Sequence, residues 1–582
     1  YRVSASGGAA ELVARDTSNP QFGADSDRVF MLGRKDGKLQ LLSADLDGEA
    51  RQVHAEGELA TEYHVSPRGD FVAFRENYEV FATPLMPGGQ AVTVGEKASS
   101  LPVVRASKGG ADYIGWTQGG DMLTWSMGPV LYRASLDAMF ADAPKEKDAP
   151  AFVPPTSGTS LERTIAKAKP TGTVVLTGAK ILTMTGDGAG EIANGAIVIT
   201  GDRIAAIGPV DSVAVPQGAT VIDASGKTIM PGLVDAHAHG PQGVGDLVPQ
   251  QNWSLVQNLA MGTTTLHDPS SSASMIFSAS ERQQAGSLLA PRIFSTAEIV
   301  YGAKAPSVYA RIDSYDDALA HIRRIKAQGG ISIKNYNQPR REQRQQVVAA
   351  ARAEDMLVVA EGGSLFGMDM NLIADGNSTI EHNVPGEVFY EDVLQFWEGS
   401  QSNYTPTLVV TYGGLAADPY WRQATDVFDN PLMVHTPPRQ LIAQTARRVT
   451  APEWAFVDDE AAREARKLAQ RGVKVSIGAH GQQAGVAAHW ELWSFARGGM
   501  SAVEALRAGT NEPARSLGME RDIGSLEVGK LADLLVLSAD PSENIRNSDK
   551  IDRVMLGGRL YDARTMNEVE TGNARRLPYW WE

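Results

Sequence analysis

The sequence predicts a chain in two parts: an all-β N-terminal region, then a larger α/β region of the parallel-sheet kind. Three observations carry that reading. Residues 1–140 repeat short alternating strands behind turn residues, residues 141–170 turn rich in Pro, Ala, Lys and Ser, and from there short apolar runs alternate with helix-length amphipathic stretches. A chain of 582 residues exceeds what one ordinary hydrophobic core can organise, so more than one domain is expected.

In the N-terminal region Asp25-Ser26-Asp27 leads into Arg28-Val29-Phe30-Met31-Leu32, and Ser66-Pro67-Arg68-Gly69-Asp70 into Phe71-Val72-Ala73-Phe74. A third copy runs from Tyr113-Ile114-Gly115-Trp116 through Gly119-Gly120-Asp121 into Met122-Leu123-Thr124-Trp125. A period of about 40 to 50 residues with several strands per unit describes a β-propeller blade. The Ser-Pro-Arg-Gly-Asp phrase before an alternating strand resembles TolB-like propellers. About three copies are too few to close a ring, which usually takes at least four. The expectation is a partial propeller, completed by a second copy or a complementary chain, with an open β-sandwich as the competing arrangement. Residues 141–170 read as a connector.

Beyond it, Ser314 is placed to cap a helix through Gln328, with Asp316 and Asp317 in its first turn, Leu319, Ile322 and Ile325 on one face, and Gly329-Gly330 at its end. Ile331-Ser332-Ile333-Lys334 reads as the next strand and residues 339–355 as the next helix. Strand candidates also precede Glu361, His382, Tyr412 and His480, a count compatible with the eight units of a (β/α)8 TIM barrel.

Composition narrows function. The 69 acidic against 54 basic residues give a charge of -15, which repels phosphate backbones and excludes nucleic acid as a natural partner. No apolar run approaches the roughly 20 residues of a transmembrane helix. Cysteine is absent, which removes disulfides, thiolate ligands and a cysteine nucleophile, and suits an oxidising compartment such as a periplasm. Tyr1 opens no signal peptide, so the chain reads as a mature form or as beginning partway through a precursor.

The most informative segment is Met230-Pro231-Gly232-Leu233-Val234-Asp235-Ala236-His237-Ala238-His239-Gly240. Residues two apart on a strand point the same way, so His237 and His239 can aim at one cation, and Asp235 shares their parity. The segment resembles the first barrel strand of the amidohydrolase superfamily. The likeness extends over most of residues 170–582. Gly201-Asp202-Arg203-Ile204-Ala205-Ala206-Ile207-Gly208 resembles part of the family's small β-sandwich, and Ile523-Gly524-Ser525-Leu526-Glu527-Val528-Gly529-Lys530-Leu531-Ala532-Asp533 leads into the strands that complete it. The expected layout is therefore sandwich at 171–230, barrel at 231–515, and sandwich with C-terminal tail at 516–582, of the imidazolonepropionase-like kind.

The resemblance implies further metal ligands. Lys334 fits the fourth strand, where the family's lysine often carries a carboxylate that bridges two metals. Glu361 stands on the fifth strand where the family commonly has His, and His382 fits the sixth. His480 stands on the eighth where the family has Asp. The expected ligands are thus His237, His239, Lys334, Glu361 and His382, holding one or two divalent ions, with zinc favoured over manganese or iron. Because the usual aspartate moves the proton, its role falls to His480 first and Glu361 second. His267, Asp268, Tyr336 and Tyr412 lie near the same strand ends, His267 and the two tyrosines as candidate substrate contacts. His489 and Glu491 are placed to brace His480, and Glu381, of opposite parity to His382, reads as structural.

These residues point to hydrolysis of a C–N bond in an amide, peptide or cyclic amide, on a small-molecule or short-peptide substrate. The competing reading is a binding or scaffold protein with a propeller recognition module and an inactive barrel. Resemblance to TolB-like repeats adds a periplasmic or cell-envelope location.

Overall fold

The structure, a computed structural model, describes the chain except residues 87, 142–151, 241, 244–246, 305–308, 339, 387 and 446–449. Much of the expected connector at 141–170 therefore lies outside the described residues. The chain divides into two compact units. One comprises Tyr1–Thr164, Val300–Gly329 and Gln338–Ala350; the other comprises Ile165–Ile299, Gly330–Asn337 and Ala351–Glu582.

The first unit holds three sheets, centred on the hairpins Arg28–Lys35 with Lys38–Asp45, Phe71–Glu76 with Glu79–Pro84, and Met122–Met127 with Val130–Ser135. The repeat seen in sequence has a local physical basis. Ser66 Oγ donates to Asp70 Oδ1 at 2.8 Å and accepts from Phe71 N, while Gly69 turns the chain at φ 70°. Thr117 does the same with Asp121, at 2.6 Å, and Met122 N, with Gly120 at φ 67°. Each turn thus satisfies its own polar groups before the strand begins. The middle sheet packs on both neighbours: Phe74 and Phe81 share a core with Phe30 and Leu41, and Val80 and Ala82 share one with Leu123 and Trp125. This all-β region is consistent with consecutive blades.

The helix Tyr315–Gln328 also belongs to this unit. Its Ser314 and Asp317 form a reciprocal capping box, Gly329 ends it at φ 114°, and Ala318, Ile322 and Ile325 are buried.

In the second unit one mixed sheet of eight strands joins distant parts of the chain, where a two-part sandwich was expected. Thr228–Pro231 pairs antiparallel with Leu534–Leu537, which continues into Ile551–Leu556 and Arg559–Asp562. Thr173–Leu182 makes the sheet continuous by serving two strands on one edge. Val174 to Thr177 pair with Thr220–Asp223, and Lys180 and Ile181 pair with Thr228 and Ile229. Gly178 bends it between them at φ 84°, where a Cβ would meet Ser225 Oγ at 2.5 Å. Leu176, Ile181, Ile197, Ile229, Leu534 and Met555 bury the apolar face.

Two parallel sheets carry the site. The first is Leu233–Asp235, Thr263–Asp268 and Arg292–Ser295; the second is Ser332–Tyr336, Leu357–Glu361, Thr379–Glu381 and Asn403–Thr405. Ile331 N donates to Ser295 O at 3.3 Å between them, Tyr404 bridges Val475, and Ala236 N donates to Ile477 O at 3.2 Å. The expected strand before Tyr412 is Asn403–Thr405; it ends there because Thr407 adopts φ 47°, and a 3-10 turn, Leu408–Val410, follows. The segment before His480 forms a single bridge at Val475 rather than a regular strand. Among the described residues no helix is long and apolar enough to cross a membrane.

Candidate metal centre

His237 and His239 follow the end of Leu233–Asp235, and their Nε2 atoms lie 3.1 Å apart. His237 is wholly buried; His239 is about a quarter exposed. Behind them, His237 Nδ1 meets Glu381 Oε2 at 2.6 Å and His239 Nδ1 meets Asp268 Oδ1 at 3.0 Å. When ionised, these carboxylates only accept, and the pairs then place the imidazole proton on Nδ1 and turn both Nε2 lone pairs inward. Two lone pairs facing each other at that separation repel, and a shared cation relieves the repulsion.

His382 completes the pattern. Its Nδ1 is 2.6 Å from Thr407 Oγ1, and its Nε2 is 3.1 Å from Glu361 Oε1. The other Glu361 oxygen is paired with Lys334 Nζ, which is almost entirely buried. The His480 ring centre lies 4.8 Å from that of His239, 5.2 Å from that of His237 and 5.1 Å from that of His382. Among the described residues two groups are close enough to hold an ion, His237 with His239 and His480, and His237 with Glu361 and His382. Within each, the ligand atoms lie within 4.8 Å of one another. His237 belongs to both.

The electrostatics suit ligation. Burial, then Lys334 and the neighbouring imidazoles, hold His237 well below the usual histidine range, and burial and His239 bring His480 down to about 3. These two imidazoles are neutral, with lone pairs to offer. Burial pushes the Glu361 carboxyl up, but Lys334 and His382 outweigh it and hold it at about 2, so it is ionised. Burial raises Glu381 to about 7 and Asp235 to about 6, and a cation on the adjacent imidazoles would favour their ionised forms.

The parity argument misplaced Glu381. Strand alternation sets Glu381 and His382 on opposite faces, but His382 adopts φ 68°, a left-handed turn that returns its ring to the side of Glu381. His480 is turned likewise at φ 55°, and its N–H donates to His237 O at 2.8 Å. The signal available in the sequence was the carboxylate beside a strand-end histidine, since a metal-facing imidazole commonly rests on such a partner.

Other expectations separate. Asp268 lies behind His239. His267 is buried with both ring nitrogens occupied, by Ala236 O at 3.1 Å and Ser332 Oγ at 2.8 Å, so it offers a substrate neither of them. His489 is buried between Ser548 Oγ and Met261 O, both at 2.9 Å, and so does not brace His480. Glu491 does reach the segment leading to His480, through Gly478 N at 3.3 Å. Tyr336 is in register with Glu361 across the parallel strands. The Tyr412 ring lies 5.7 Å from that of His382, and burial and Glu361 push its phenol up to about 12. A separate cleft of about 640 Å³ in the same unit, lined in part by Arg292, Arg559 and Arg576, includes none of the candidate ligands.

A 5-methylthioadenosine/S-adenosylhomocysteine deaminase of Nitratidesulfovibrio vulgaris is 42% identical over 84 residues, 14% of this chain and 19% of that protein. An imidazolonepropionase of Symbiobacterium thermophilum is 38% identical over 81 residues, 13% of this chain and 17% of that protein. The chain thus matches less than a fifth of the length of these curated relatives. In structure it is similar to a Xaa-Pro dipeptidase with bound methionine in the active site, with TM-score 0.53 and 21% identity over 67% of this chain and 100% of that one. It is also similar to molinate hydrolase, with TM-score 0.53 and 17% identity over 70% and 99%. These two likenesses concern the fold. The model of the amidohydrolase family matches residues 228–561, more than half of the sequence, and the chain belongs to that family.

Proposed function

We propose that this chain is a metal-dependent hydrolase that cleaves a C–N bond in an amide, a short peptide or a cyclic amide. The observation that carries the reading is the pair of inward Nε2 lone pairs 3.1 Å apart, each imidazole held from behind by a carboxylate. His237, His239 and His480 would hold one divalent ion, and His237, Glu361 and His382 a second, with Lys334 beside Glu361. Their nitrogen and oxygen donors suit zinc, manganese or iron. A divalent cation held by these residues would supply the means to ionise water near neutral pH, its pKa falling from 15.7 to about 7, and to polarise the scissile carbonyl.

The chain's own residues do the rest. Glu381 and Asp268 fix the tautomers of His237 and His239, and Thr407 orients His382. His480 and Glu361 were the two expected proton carriers, and both stand in the ligand groups. With a single ion bound, the one of the two that lies outside its ligand group would take the proton from water and return it to the leaving amine. Tyr336, in register with Glu361, and Tyr412, whose ring lies near that of His382, would hydrogen-bond the substrate. Lys334 allows two states. As an ammonium paired with Glu361 it supports one ion; as a carbamate formed with carbon dioxide it would bridge two.

The parallel strands are read here as a closed eight-stranded barrel, supported by the hydrogen bonds that run from Ser295 to Ile331, from Tyr404 to the segment at Val475, and back to Ala236. The three N-terminal sheets are read as TolB-like blades, supported by the recurrent hydroxyl–carboxylate turn. The absence of cysteine and that likeness support a periplasmic or envelope location.

Metal content decides the central reading. Purified protein loaded with zinc or manganese is expected to retain one or two equivalents and to hydrolyse members of a panel of amides and dipeptides. His237→Ala, which enters both groups, is expected to lose the metal. Full stoichiometry in that variant would overturn the proposal.

A further inference from the structure

We infer that Glu491 is a positioning residue that sets both candidate metal groups at once, by holding the backbones of the two loops on which His382 and His480 depend. The inference rests on the reading above that these histidines hold cations.

Glu491 lies on the helix Val486–Arg497 and is wholly buried. Its Oε1 accepts from Val409 N–H at 2.7 Å and its Oε2 from Gly478 N–H at 3.3 Å. Each contact lies two residues from a group at the metal centre. Val409 belongs to the turn Leu408–Val410, closed by Val410 N donating to Thr407 O at 2.9 Å, and Thr407 Oγ1 is the partner of His382 Nδ1. Gly478 precedes Ala479, whose N–H donates to Asp235 Oδ1 at 3.1 Å, and then His480, whose N–H donates to His237 O.

The two loops also touch. A Cβ on Gly478 would lie 2.7 Å from Thr407 Cγ2 and 2.8 Å from His237 Cβ, so the two loops approach each other closely at this glycine. An apolar side chain of similar size would fill the space without the desolvation cost of a buried carboxyl. What the carboxyl adds is two acceptors aimed at two backbones, both of which lead to left-handed residues, Thr407 at φ 47° and His480 at φ 55°. Those conformations persist only where surrounding structure over-determines them.

The test is Glu491→Gln, which keeps the volume but leaves one acceptor for two N–H groups and turns an NH2 towards the other. Zinc affinity by chelator competition is expected to fall about 10- to 100-fold. The visible spectrum of the cobalt(II)-loaded protein is expected to change, and far-UV circular dichroism to remain that of the parent. Thr407→Val should weaken zinc binding by severing the His382 branch alone, and the double variant should lose less than the sum because the branch is shared. Asp458→Asn is the control for plain destabilisation: it disturbs a buried acid paired with Arg497 on the same helix, and is expected to lower the unfolding midpoint while leaving zinc affinity and the cobalt spectrum unchanged.

Parental zinc affinity and an unchanged spectrum in a folded Glu491→Gln would overturn the inference. If that variant does not fold, Glu491→Asp, which draws both acceptors back by one methylene, is read in its place, and parental zinc affinity there would also overturn it. A parent that binds no zinc or cobalt at all would instead overturn the reading of the site.

Discussion

His237 and His239 reach the centre by a different route from His382 and His480. The first two follow the short strand Leu233–Asp235 at two-residue spacing, and simple alternation sets their rings together. The other two stand where the chain leaves the extended conformation, at φ 68° and φ 55°. A left-handed non-glycine residue costs on the order of 1–3 kcal/mol. Here His382 N donates to Thr405 O at 2.9 Å and His480 N donates to His237 O at 2.8 Å, which holds each turn in place. The contrast teaches that one half of the centre is specified by strand geometry, and the other by what surrounds a strained turn.

If that contrast is right, substitutions on the two sides should differ in kind. The largest effect is expected on ion number. His480→Ala removes a member of one group only, so the protein should lose one ion while the group of Glu361 and His382 keeps the other. Counting bound metal against protein concentration checks it, and loss of all metal would erase the distinction between the groups.

Next comes Glu381→Ala, which leaves His237 Nδ1 buried without its carboxylate partner. Zinc affinity should fall about 10- to 100-fold, as read by chelator competition. Asp268→Asn is expected to cost less, about 10-fold at most, because the amide oxygen can still accept from His239 Nδ1 and only the charge is lost. Equal losses in the two variants would mean that the charge, not the acceptor, sets the effect.

The smallest expected effect on metal is none, from a histidine far along the chain. His435 is buried between Tyr579 Oη at 3.0 Å and Ala563 O at 3.3 Å, and burial brings it down to about 4 from its usual 6.5. A depressed folded value means that the unfolded chain binds the proton first. The stabilisation from neutral His435 is therefore fully present above pH 6.5 and is lost as pH falls towards 4. Urea unfolding across that window should show a slope that His435→Gln flattens, with zinc affinity at pH 7.5 unchanged. A change in zinc affinity would show that the fold couples the two places.

Sequence reading succeeded wherever the decisive interaction was local. Ser314, Asp317 and Gly329 mark both ends of their helix by capping chemistry that is complete within a few residues, and the turns at Ser66 and Thr117 are self-contained in the same way. The pairing of Thr228–Pro231 with Leu534–Leu537 was legible only through family likeness, because nothing local announces so distant a partner. The candidate ligands His237, His239, Glu361 and His382 were named from family likeness together with strand ends, and they lie together in the structure. Glu381 was set on the wrong face because alternation was extended one residue beyond the strand, and the end of the strand before Tyr412 was not legible because the left-handed Thr407 leaves no mark in hydrophobic pattern. His267 and His489 illustrate the complementary error. Each looked available until its two ring nitrogens were found already bonded within the protein.

The mixed sheet has a consequence for biosynthesis. Thr228–Pro231 emerges from the ribosome long before Leu534–Leu537, so one edge of a largely apolar layer waits for its neighbour while residues 232–533 are translated. Vectorial synthesis lets early segments organise first, but this edge cannot close until Leu534–Leu537 has been made. Chains released prematurely would carry an unpaired strand with exposed backbone groups, the feature that templates aggregation. Quality control of this protein is thus written into the order in which its two sequence-distant strands appear.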